Sequence, residues 1–180
     1  MRRRRLLVVV CVCSAIVALV GAGLGFVVRG AHAGPRPGIS NIGIGGPVNP
    51  ECYRWSAYAG PNQGTGNNTL NAVATVPNSA QVWAVGEYVD ATSGNWQTLI
   101  ERFDGTRWSI VPSPNVLSAD NYLTSVAAIS PNSVWAVGYS GSNNPLTLIE
   151  HWNGTSWSIV ASPSVPQTVN FLYGVAAASA

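Results

Sequence analysis

The stretch Pro77–Asn115, PNSAQVWAVGEYVDATSGNWQTLIERFDGTRWSIVPSPN, returns with changes as Pro131–Ser164, PNSVWAVGYSGSNNPLTLIEHWNGTSWSIVASPS. A chain that repeats itself at this period builds one supersecondary unit more than once and stacks the copies. Shorter blocks carry the pattern further in both directions. WSAYAGPN (55–62), WSIVPSPN (108–115) and WSIVASPS (157–164) correspond, as do LNAVATV (70–76), LTSVAAI (123–129) and LYGVAAA (172–178). The spacings run from 49 to 53 residues, and the variation falls between blocks, where loops absorb it.

Each unit holds four short segments rich in Val, Ile, Trp, Thr and Leu, separated by Gly, Pro, Asn and Ser, the pattern of strands joined by turns. The blocks VWAVG (82–86 and 134–138) and SIV are apolar at consecutive positions. That suits a sheet covered on both faces. Asp104-Gly105 and Asn153-Gly154 stand between the third and fourth strands and favour a tight hairpin. Two registers are open there: a two-residue loop, or a four-residue loop that sets Phe103 opposite Trp108 and Trp152 opposite Trp157. The fold class expected is all-β, with four-stranded blades of β-propeller type, about two and a half of them, stacked because a blade cannot bury both faces alone.

NSVWAVGYSGSNNPLTLIEHWNGTSWSIVASP resembles a kelch-type blade, in which a strand ending in glycine leads through a loop to an aromatic-ended strand, a turn and a Trp-bearing strand. The resemblance covers roughly residues 55 to 180. It departs at Gly86-Glu87 and Gly138-Tyr139, where kelch blades carry paired glycines. Among the repeated positions, Trp83 and Trp135 read as core between blades, Trp108 and Trp157 as packing near the hairpin, and Gly86 and Gly138 as structural positions of the repeat. Counted by block, the strand order is a lone fourth, two full sets, then a first strand at 172–178. Such an incomplete ring implies either further blades in a longer protein or self-association to complete the propeller.

The first 33 residues are of another kind. Arg2–Arg5 precede an apolar run from Leu6 to Val28, followed by Arg29 and Ala31-His32-Ala33. These are the parts of a secretory signal with cleavage between Ala33 and Gly34. The run is also long enough to span a bilayer as a helix, so a retained membrane anchor is the second reading. Both place the remainder outside the cytoplasm, secreted or held to the membrane by this segment. Residues 34–54 open with GPRPGISNIGIGGPVNP and read as a linker; residues 55–180 hold the repeats.

Of nine arginines, and no lysine, only Arg36, Arg54, Arg102 and Arg107 follow Ala33. Seven carboxylates face them, so the exported part carries a formal −3. A nucleic-acid partner, which needs a basic face, is not expected. Cys52 is the one cysteine after the leader and reads as a free thiol.

Chemistry-bearing groups are sparse. His151 replaces Arg102 of the sister repeat and reads as a strand surface position. Glu101 and Glu150 occupy equivalent places and read as inherited blade positions, not a catalytic pair. No nucleophile elbow, metal-binding His pair or phosphate loop is present. No catalytic, metal or cofactor residue is expected, and no cofactor. DGTRW and NGTSW approach the Asp-box of sialidase-type propellers, a turn element remote from catalysis in that family, and are one residue shorter. Trp96, in a variable polar loop without a counterpart in the next repeat, is the candidate ligand contact. Two functions follow: a non-enzymatic scaffold binding a cell-surface protein or polysaccharide, or the front of a propeller enzyme of galactose-oxidase-like or sialidase-like type.

Overall fold

A computed structural model describes residues 7–11, 16–20 and 56–178. Among them there is no helix, and eleven strands form three antiparallel sheets. The first repeat supplies β4 (Asn68–Thr75), β5 (Val82–Val89), β6 (Trp96–Phe103) and β7 (Trp108–Ile110), paired in that order. The second supplies β8 (Asn121–Ser130), β9 (Ser133–Ser140), β10 (Leu146–Trp152) and β11 (Trp157–Ile159), paired in the same order. Each sheet is therefore an up-and-down meander whose neighbours in sequence are neighbours in space.

The hairpin question is decided for the longer loop: Phe103 pairs with Trp108 and Trp152 with Trp157. The Asp104 carboxylate accepts from the Thr106 and Arg107 amides and the Thr106 hydroxyl, and the Asn153 side chain accepts from the Thr155 and Ser156 amides. Those bonds hold a turn whose second residue, Gly105 or Gly154, sits at φ 103° or 97°. Only glycine takes that backbone angle without strain.

Alternation sorts each strand into two faces. The rear face of the first sheet (Trp83, Val85, Ile100) meets the front face of the second (Leu123, Val126, Leu148, Trp152, Trp157) in one core. The front face of the first sheet (Leu70, Val82, Ala84, Leu99, Phe103, Trp108) forms another with Tyr58. The four positions Val82–Val85 are thus buried to either side, as their unbroken apolarity requires.

Gly86 and Gly138 close the argument for the repeat. The first strand of each sheet, β4 and β8, carries a bulge, between Leu70 and Ala72 and between Leu123 and Ser125. The bulge drives the strand's backbone toward the glycine opposite. A Cβ on Gly86 would lie 2.0 Å from the Thr69 carbonyl oxygen, and one on Gly138 would lie 1.9 Å from that of Tyr122. Close backbone approach leaves no room for a side chain at either position.

Two expectations need amendment. Trp83 is fully buried between the sheets, but its counterpart Trp135 is half-buried on the second sheet's rear face, against the His151 ring at 4.2 Å. The first sheet's rear face is covered by the second sheet, whereas no third sheet lies on the other among the described residues. Residues 172–178 form no strand, although they follow β8. The Leu172 amide donates to the Gly138 carbonyl, and the Val175 amide to the Ser125 hydroxyl. The segment lacks a partner strand of its own, so its backbone is tethered mainly by side chains of β8.

The leader's expected helix falls largely on residues outside those described, as do the cleavage position Ala33-Gly34, the linker and Cys52. The two described pieces, β1 (Leu7–Cys11) and β2 (Ile16–Val20), are extended and pair with each other and with β3 (Ser56–Ala59). Their β-branched content suits a strand, and pairing satisfies backbone groups that a bilayer-spanning segment would satisfy within a helix.

Candidate functional site

Trp96 opens β6 at the loop end of the first sheet. Its amide donates to the Asp120 carboxylate at 2.9 Å, which ties the strand to the connection leading into the second sheet. The ring is half-buried beside Tyr122, with centroids 6.0 Å apart. Sequence reasoning singled out this tryptophan alone. The fold makes it one end of a ridge.

From Tyr122 the contacts continue ring by ring. Tyr122 stacks on its cross-strand partner Tyr139 at 4.8 Å, and Tyr139 meets Phe171 edge-on at 4.6 Å. Phe171 stacks on Tyr173 at 5.6 Å. Exposure grows along the row, to 37% at Phe171 and 71% at Tyr173. Aromatic pairs in these arrangements add to what area burial alone contributes, so the row is a fixed surface and not a loose cluster.

Glu87 lies beneath the ridge. It is only 9% exposed and accepts a hydrogen bond from the Asn71 amide nitrogen at 2.6 Å. Burial pushes its carboxyl up to about 7, with the Asn71 bond pulling the other way. The same Asn71 nitrogen donates to the Leu123 carbonyl at 2.8 Å, across to the next sheet. Burial raises both Tyr122, to about 12, and Tyr139, and the nearby Glu87 charge adds to each. Both phenols stay protonated donors at neutral pH.

Beside the ridge an open groove of ≈ 390 Å³ is lined by Tyr88, Asp90, Asn95, Gln97, Asn115 and Leu117 among others. Its lining mixes polar and acidic groups with Val116 and Leu117 and brings together nothing resembling a nucleophile with a base. The Asp90 carboxyl is held below the usual range by bonds from Ser93, which makes it a turn anchor.

Elsewhere two carboxyls stand out. Glu101 and Glu150 are wholly buried, and among the described residues none of their four oxygens has a hydrogen-bond partner. Desolvation pushes Glu101 up to about 7 and Glu150 to about 8. Glu150 shares the front face of the second sheet with Leu148 and Trp152, and so points into the core between the sheets. Glu101 shares a face with Leu99 and Phe103 and lies in the other core, where a Cβ on Gly60 would come within 3.1 Å of it. They therefore occupy different interfaces and form no pair. Their equivalence was legible in sequence; their burial was not, because glutamate in an apolar strand gives no sign of which face it takes.

Trp108 and Trp157 are buried opposite Phe103 and Trp152, near the hairpins. His151 hydrogen-bonds Ser133 at 3.2 Å through its ring and touches no second ligand-type side chain. No group of three or more His, Cys, Asp or Glu that could hold a metal exists among the described residues.

Sequence reasoning missed Tyr122, Tyr139, Phe171, Tyr173 and Glu87. A signal for two of them was present, as disagreement between copies: Thr69 stands where the second unit has Tyr122, and Glu87 where it has Tyr139. The first two units differ at both positions, and the third is aromatic again at the first of them, Phe171. Comparison with protein-family models, with curated proteins and with solved structures found no match.

Proposed function

We propose that this chain is a non-enzymatic, extracytoplasmic scaffold of kelch-like β-propeller blades that presents its loop-end ridge to a cell-surface protein or polysaccharide. The observation that carries the reading is a contact repeated at constant step. Asn71, at the first bulge, bonds the Leu123 carbonyl, and Thr124, at the second, bonds the Leu172 carbonyl. Leu70, Leu123 and Leu172 are equivalent residues, so each unit is tied to the next through the same position. A unit that hands on to its neighbour by a fixed operation generates a stack, and bulged inner strands give that stack its curvature. The half-buried Trp135 face is where another unit continues it, by self-association or otherwise.

A rigid stack with repeated interior positions and unrepeated rim positions suits recognition better than turnover. Export rests on the basic start and apolar run of the first 33 residues, with the membrane as a partner if Ala33-Gly34 stays uncleaved. The test is protease added to intact cells that make the full chain. Digestion of the repeats without lysis is expected; protection until the cells are broken would place the scaffold inside and end the reading.

A further inference from the structure

We infer, resting on the scaffold reading above, that the ridge Trp96–Tyr122–Tyr139–Phe171–Tyr173 is a binding site for a neutral oligosaccharide chain. Three observations lead there. First, the ridge is not a by-product of blade packing. The inherited positions (Trp83 and Trp135, Gly86 and Gly138, Glu101 and Glu150) recur from unit to unit. Tyr139 has Glu87 as its counterpart, Tyr173 has Asn71 and Thr124, and Tyr122 has Thr69 in the unit before it and Phe171 in the unit after it. The first unit thus carries no aromatic side chain at these positions, and the fold gathers those of the later units, with Trp96, into one continuous row.

Second, the row is amphipathic in the manner a sugar requires. Ring surface is offered by Phe171 and by the largely exposed Tyr173, on which the C–H face of a pyranose can lie. Hydroxyl donors come from Tyr122, Tyr139 and Tyr173, and the Asp120 carboxylate lies at the Trp96 end of the row. A few convergent polar groups on an apolar floor fix the orientation of a small ligand.

Third, charge selects against acidic glycans. Among the described residues the cationic side chains are Arg102 and Arg107, at the far end of β6 and in the hairpin beyond it. Six residues of strand separate Arg102 from Trp96, about 20 Å. Among the described residues no cation stands at the ridge to balance a sulfate or carboxylate, while Asp120 would repel one.

The experiment titrates the full chain, held in a detergent without a sugar headgroup, with cellohexaose, maltohexaose and mannohexaose, and with heparin hexasaccharide for comparison. Binding is read by calorimetry and tryptophan fluorescence. At least one neutral hexasaccharide is expected to bind, and Tyr173→Ala and Trp96→Ala are each expected to weaken it about tenfold or more. Leu117→Ala, 89% exposed in the groove beside the ridge, should leave affinity unchanged. The inference is overturned if none of the three neutral sugars binds, if heparin binds better, or if Tyr173→Ala binds like the parent. It is equally overturned if the ridge substitutions abolish crosslinking to a surface protein and sugars do nothing. Unfolding midpoints and protease accessibility on intact cells, measured in parallel, report on the scaffold itself. Failure of sugar binding with both intact removes the ligand class alone.

Discussion

Glu150→Gln should stabilise this protein at neutral pH and flatten its dependence on pH. Glu150 is fully buried between the two four-stranded sheets without a hydrogen-bond partner, and desolvation lifts its carboxyl from 4.5 to about 8. Its folded value therefore lies above its unfolded one, and the folded state holds a proton that the unfolded state has released. Stability is greatest below about 4.5 and declines as pH rises toward 8, at about 1.4 kcal/mol per pH unit for one group. From 4.5 to 7 that accumulates to about 3 kcal/mol, an order-of-magnitude figure but a sizeable share of a domain's total. Glutamine keeps the shape and never ionises. Its own unbonded amide costs on the order of 1–3 kcal/mol, comparable to the neutral carboxyl it replaces. The assay is urea unfolding followed by tryptophan fluorescence across about pH 5 to 8. The parent should lose stability as pH rises, and the variant's slope should be shallower by about one proton. An identical slope in parent and variant would refute the claim that Glu150 is folded as a neutral acid.

Two further outcomes follow from the packing. Gly138→Ala sets a methyl 1.9 Å from the Tyr122 carbonyl oxygen, so it should cost on the order of 3 kcal/mol or prevent folding, as judged by denaturant midpoint. A variant as stable as the parent would mean that the bulge can relax away. Trp83→Ala, at 0% exposure between the sheets, should cost about 3–5 kcal/mol in the same measurement, and Trp135→Ala less than half of that. Equal losses would show that the Trp135 face is covered as completely as its sister.

The ridge shows what a sequence reading reaches and where it stops. Trp96 was visible as an unrepeated aromatic in a polar loop, a local property. Tyr122 and Tyr139 are adjacent only because antiparallel pairing sets them opposite each other, and Phe171 joins them only because residues 170–173 lie along β8 and β9. From Trp96 to Phe171, neighbours in the row stand 17 to 32 residues apart in the chain. No local pattern reports such contacts.

The sequence by itself determined the repeat, its period, the four strands per unit and the hairpin positions, because these are recorded in residue type and spacing along the chain. It also determined the charge division between leader and repeats. Only the tertiary structure decided the hairpin register, the placing of Trp135 on an open face and Trp83 on a closed one, and the burial of Glu101 and Glu150. Equivalent residues in a repeat share a local environment but not a neighbour. Which copy has a sheet against it, and which carboxyl loses its water, depends on what packs from outside the strand.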